Sequence, residues 1–165
     1  LFAPDIFSRP RPAFLAVDDD IKAEIKNILA HHYGFDQIQS IEKLEGLEIN
    51  SRNFKVRTAT HTYALKKAGV QAKEGDVAIQ LALSQSMLQQ GVPFPRLTKT
   101  KTGDLYARDH ENRMWILSDF VEGAYFTGMR QQLDAVARAI AALQDQLEKS
   151  AEAQQLPLFL SLIHI

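Results

Sequence analysis

The chain has 165 residues, 45% hydrophobic and 24% charged, with a net charge of −1, the balance of one soluble globular domain. The absence of cysteine excludes thiol catalysis, cysteine-ligated zinc and disulfides, and it fits a reducing compartment. Near-neutral charge gives no pull toward nucleic acid or anionic lipid, and no apolar run nears the roughly 20 residues that span a bilayer.

Leu1 to Pro12 carries prolines where a signal peptide would have its apolar run, so a cytoplasmic location is expected. Residues 1–17 read as irregular. Asp18-Asp19-Asp20 offers an N-cap and first-turn carboxylates for a helix. Ile21, Ile25, Ile28 and Leu29 then form its apolar stripe, and Gly34 is its stop. His31 and His32 fall in the last turn, where they complement the helix dipole more readily than they would share a metal.

From Ile41 the period changes. Ile41–Leu47, Phe54–Thr60 and Thr62–Lys67 read as three strands, followed by a helix over about Asp76–Gln90 with Ile79, Leu83 and Met87 on its buried face. Gly91-Val92-Pro93-Phe94-Pro95 ends that helix. Arg96–Thr100, Leu105–Arg108 and Met114–Phe120 read as further strands. A helix over Met129–Glu148 follows, with Leu133, Val136, Ala137, Ile140, Leu143 and Leu147 along one face. The class is α+β: an antiparallel sheet of about five strands with helices packed on it.

Side chains alternate along Tyr63-Ala64-Leu65-Lys66-Lys67, so Ala64 and Lys66 share one face. A small residue lets a flat base lie close, and a neighbouring ammonium can reach phosphates as a point charge. An edge strand carrying solvated lysines would read the same way. The loop Glu45 to Asn53 has one glycine, Gly46, and no Walker pattern. Its Asn50, Ser51 and Asn53 tolerate backbone conformations that aim N–H groups at phosphate, as an ordinary hairpin loop also could. Trp115 to Gly123 is an apolar strand running into a short connector, whose backbone groups could read a base edge.

In that order and spacing, residues from about 40 to 148 resemble the N-lobe and first inter-lobe helix of the aminoglycoside phosphotransferase and choline kinase superfamily, which has a protein-kinase-like fold. The resemblance rests on Ser51 to Val56, Tyr63 to Lys66, Leu88 to Pro95, Ile116 to Gly123 and Ala135 to Leu147. The Asn53-Phe54 hairpin, the helix bearing Gln80 and the run Ala142-Leu143-Gln144-Asp145-Gln146-Leu147 look most like the hydroxylysine kinase branch, which includes fusions to aminotransferases.

The resemblance implies a small-molecule kinase that uses ATP or GTP with Mg²⁺. Its acceptor would be the hydroxyl of a small, amine-bearing metabolite or drug. Lys66 would hold the α and β phosphates beside Ala64, with Ser51, Arg52 and Asn53 in the loop above them. Asp119 through its carbonyl and Val121 through its N–H would bind the base edge, with Ser118 as gatekeeper. Gln80 aligns where the family often has a glutamate that holds the lysine, with Glu74 and Asp76 a turn or more earlier. Glutamine supplies no counter-charge, so either this branch uses Gln or the register is shifted. Asp109-His110-Glu111-Asn112 is read as a solvated turn.

The family's catalytic Asp and Mg²⁺-holding Asn and Asp follow the inter-lobe helix. Here that helix is followed by residues 149–159, a linker or the start of a further lobe. Leu160 to Ile165 matches what a common sequencing adapter encodes in frame, or is a natural apolar tail after Pro157. The expectation is therefore an N-lobe over 18–148 without its catalytic lobe, inactive alone, whose last helix leaves apolar side chains bare. A regulatory nucleotide-binding module and an unrelated α+β binding domain are the alternatives.

Overall fold

The β-branched and aromatic runs in the middle of the chain assemble into one antiparallel sheet. It is seen in a computed structural model that describes residues 14–44, 52–123 and 129–149. Its strands are β1 (Phe14–Leu15), β2 (Ser40–Leu44), β3 (Arg52–Arg57), β4 (Thr62–Lys67), β5 (Ala107–Arg108) and β6 (Met114–Asp119), in the order β1-β2-β3-β4-β6-β5. The helices are α1 (Asp19–Ile28), continued by a wider π-helical turn over Leu29–Tyr33, then α2 (Glu74–Gln89) and α3 (Arg130–Lys149). Contacts divide the chain into two compact units, Leu1–Gln71 with Pro95–Tyr125, and Ala72–Phe94 with Phe126–Ile165.

The first unit holds the sheet and α1. Alternation sends Phe54 and Val56 of β3, Leu65 of β4, and Trp115 and Leu117 of β6 to one face, where they meet Ile25, Ile28, Leu29 and Tyr33. Phe54 and Trp115 are fully buried and stack with ring centroids 6.2 Å apart. Each such side chain contributes about 1.5–3 kcal/mol through burial. Among the expected helix residues, Ile25, Ile28 and Leu29 are buried and Ile21 packs at the margin. Asp18 is the N-cap by position, but its side chain makes no capping hydrogen bond.

Gly34 ends this helix at φ 80°, the left-handed conformation that glycine adopts without a steric penalty. The turn after Thr100 then closes over it. Lys101 N–H donates to the His32 carbonyl at 2.8 Å, and Lys101 Nζ donates to the Ala30 carbonyl at 2.9 Å. An ammonium on the last carbonyls of a helix is favoured by the dipole as well as by the bonds.

One expected strand is absent, several strand limits move, among them Leu105–Arg108, which shortens to Ala107–Arg108, and one strand is new. Arg96–Thr100 does not form a strand: it contributes a single bridge, Leu97 to Ser118. Thr100 is drawn instead into the turn that caps α1, where its Oγ1 accepts from the Asp104 N–H. Thr58 to Thr60 leave β3 because the Thr58 side chain closes the loop, donating to the His61 carbonyl and accepting its N–H. Residues 14–15, read as irregular, pair with Leu44 and Lys43 and cover the edge of β2. Residues 45–47, expected to continue β2, lie outside the described residues.

The second unit holds α2 and α3. Leu83 and Met87 of α2, with Val92, form a small core against which Phe94, Leu143 and Leu147 pack. Gly91, at φ 86°, closes α2. Val92 N–H donates to the Met87 carbonyl and Gly91 N–H to the Leu88 carbonyl, the paired bonds of a Schellman cap. Ile79 is only half-buried, whereas Val77 and Leu81 are buried. Along α3, Leu133, Val136 and Ile140 are exposed as expected, whereas Leu143, expected to be bare with them, packs on this core.

Candidate functional site

Strand β4 lies inside the sheet between β3 and β6, so it is not an edge strand and its lysines are not edge protection. Neither lysine is fully solvated: Lys66 is half-buried and Lys67 buried. They serve opposite faces of the sheet.

Lys67 lies on the core face. Its Nζ is 2.6 Å from Glu24 Oε1 of α1 and 3.1 Å from Asp109 Oδ2, and it sits 4.9 Å from the centroid of Trp115. Asp109 is therefore not part of a solvated turn. Its side chain is 2% exposed. One oxygen accepts from the Glu111 and Arg113 N–H groups, and the other accepts from Trp115 Nε1 at 2.9 Å. Burial would push this carboxyl up, but the Trp115 and Arg113 donors and the Lys67 ammonium outweigh it and hold it at about 2. Tyr33 joins the same region by donating its hydroxyl to the Trp115 carbonyl at 3.1 Å, and burial pushes its phenol up.

The other face gathers four of the nine expected nucleotide residues, Asn53, Ala64, Lys66 and Ser118. Ala64 and Lys66 stand side by side on β4. Asn53 is opposite Lys66 on β3 and Ile116 opposite it on β6, while Ala64 is flanked by Lys55 and Ser118. Arg52 is not part of this group: its register partner is Lys67, so alternation turns it to the core side at the exposed start of β3. Ser51 lies outside the described residues. Gln80 stands exposed on α2 in the second unit.

At the end of β6, Asp119 donates its N–H to the Arg96 carbonyl at 2.9 Å, and Phe120 donates to Thr62 at 3.1 Å. Strand geometry puts the Asp119 carbonyl on the same side as its own N–H, away from β4. The Asp119 carboxylate is 3.1 Å from His61 Nε2. Val121 is 65% exposed in the connector that follows.

Sequence reasoning missed a pair on this face. Lys55 is buried, yet its Nζ donates to Glu122 Oε1 at 2.9 Å and lies 4.2 Å from the centroid of Phe120. Nothing in the sequence marked it, because only the observed register sets Lys55 directly across from Ala64.

A cleft of about 530 Å³ elsewhere in the first unit is lined by His31, His32, Lys101 and Arg108 among others, and by none of the expected site residues. The two imidazoles meet edge to face at 4.8 Å. Partial burial and then the neighbouring His31 lower the His32 pKa. Among the described residues no group of three or more His, Asp or Glu side chains could hold a metal ion. No helix among them is long and apolar enough to cross a membrane.

No family model matches the chain, and no curated protein matches it. Among solved structures, it is similar to spectinomycin phosphotransferase APH(9)-Ia in complex with ADP and spectinomycin. The TM-score is 0.56 at 17% identity, over 75% of this chain and 40% of that one. The chain thus spans well under half the length of the phosphotransferase it matches. At this identity the likeness shows the fold alone: an α+β, kinase-like N-lobe arrangement shared with that structure.

Proposed function

We propose that the chain is the nucleotide-holding part of a phosphotransferase that passes the γ-phosphoryl of ATP or GTP to a hydroxyl of a small molecule. One observation carries the reading. Ala64 and Lys66 share one face of a central strand, opposite the core face, with a connector of exposed residues, Val121 to Gly123, beginning just past the end of β6 beside them. The small side chain leaves room for a flat base, and the ammonium on the same face can meet phosphate oxygens. The fold shared with a phosphotransferase solved in complex with ADP supports the assignment.

In this reading the chain's own residues bind and orient. Lys66 neutralises charge on the α and β phosphates, with Asn53 beside it. The Asp119 carbonyl and Val121 N–H hold the base edge, and Ser118 backs it across from Ala64. Bound Mg²⁺ would neutralise the transferred phosphoryl in such enzymes, and its ligands would come from outside the described residues. The amine-bearing acceptor and a fusion to an aminotransferase belong to the same proposal, as does a likeness to the hydroxylysine kinases. A regulatory nucleotide-binding module is the second reading.

Titration calorimetry with ADP tests the assignment. The wild-type chain should bind, and Lys66→Ala should lose at least tenfold in affinity, the loss of one charge-assisted phosphate contact. Equal binding by both proteins would remove Lys66 from the site.

A further inference from the structure

We infer that Lys55 and Glu122 form a lock across the base site, which a purine must open to reach Ala64. The inference rests on the nucleotide reading above and adds two residues to it. Lys55 on β3 and Phe120, just past β6, both stand on the Ala64 face, and β4 lies between them. Their side chains nevertheless touch, with the ammonium 4.2 Å from the ring centroid. Two side chains from the strands flanking β4 can meet on that face only above β4 itself. There the register offers Thr62 and Ala64, small residues with little to fill the space. The Lys55–Glu122 ion pair at 2.9 Å therefore spans the place where a base would lie.

The physical chemistry suits a lock rather than a fixed wall. The Lys55 side chain is 9% exposed, but that of Glu122 is 78% exposed on the connector. An ion pair with one partner in water is weak and is screened by salt. Opening it is correspondingly cheap, because the released ammonium has Glu42, its cross-strand neighbour on β2, on the same face. Phe120 would then be free to meet the flat base, as aromatic rings do.

A ligand that must break an ion pair binds less tightly by the free energy that holds the pair closed. Adenosine is the right probe because it carries no charge, so salt acts on the pair and not on phosphate contacts. Glu122→Gln should bind adenosine about two- to fivefold more tightly than wild type, the range for a pair with one partner in water. Lys55→Met, which keeps the aliphatic stem over β4, should do the same. Raising NaCl from about 0.05 to 0.5 M, which shortens the screening length severalfold, should tighten adenosine binding to wild type and leave Glu122→Gln unchanged. Adenosine binding that is equal in wild type and both variants, with no salt effect, overturns the lock and leaves the base site standing. If neither adenosine nor ADP binds to any of the three, the base site falls and the lock with it.

Discussion

The two faces of the sheet place lysines one position apart in entirely different settings. On the core face, Lys67 is surrounded by Glu24, Asp109 and the Trp115 ring, under α1. On the other, Lys66 is half-buried beside the small Ala64, between Asn53 and Ile116. A single step along a strand reverses the side-chain direction, so neighbouring residues of the same type carry structure on one side and candidate chemistry on the other. Substitutions on the two sides should therefore separate stability from binding.

The largest effect should come from the core face. Asp109→Ala removes the acceptor of Trp115 Nε1 and of two backbone N–H groups and one of the carboxylates that pair with Lys67. It should cost about 3 kcal/mol in urea unfolding, as breaking a buried hydrogen-bonded ion pair does. A loss below about 1 kcal/mol would mean the network contributes little.

Acid should expose the same carboxylate. Its pKa is about 2 in the folded chain and near 3.9 in an unfolded one. A carboxyl depressed on folding stabilises above its unfolded pKa and loses that contribution as pH falls through its folded pKa. Stability should thus drop by about 2 kcal/mol between roughly pH 4 and pH 2 on this account alone. Asp109→Asn should flatten that limb, as measured by unfolding at a series of pH values.

The open face should respond more weakly. Ala64→Leu adds volume where the side chain is only half-buried, so it should cost less than about 1 kcal/mol while obstructing the base site. Lys66→Ala should cost clearly less than Asp109→Ala, because Lys66 is only half-buried. Should Lys66→Ala unfold the chain as readily as Asp109→Ala, the two faces would not be distinct in the way described.

Much of this division was legible in five letters. Alternation along Tyr63 to Lys67 already assigns Leu65 to one side and Ala64 with Lys66 to the other. The Gly91 stop and the apolar stripe of α1 were equally plain, because both follow from local periodicity and backbone preference. What was not legible depended on long-range pairing. Glu24 meets Lys67 from 43 residues away. Asp109 sits in a run of polar residues that resembles any solvated turn, and only Trp115 and Lys67 reveal its burial. Arg96 to Thr100 has strand-like composition, but capping α1 competes for Thr100 and Lys101. The Lys55–Glu122 pair was hidden because neither residue is informative until the register sets Lys55 across from Ala64.

The most direct measurement follows backbone amide shifts of the chain by NMR as ADP is added. The account predicts that the perturbed residues cluster at Asn53, Lys55, Ala64, Lys66 and Ser118 to Glu122, and that those of α1 stay still. Shifts centred on the cleft of His31, His32 and Lys101, with Ala64 and Lys66 unmoved, would contradict it.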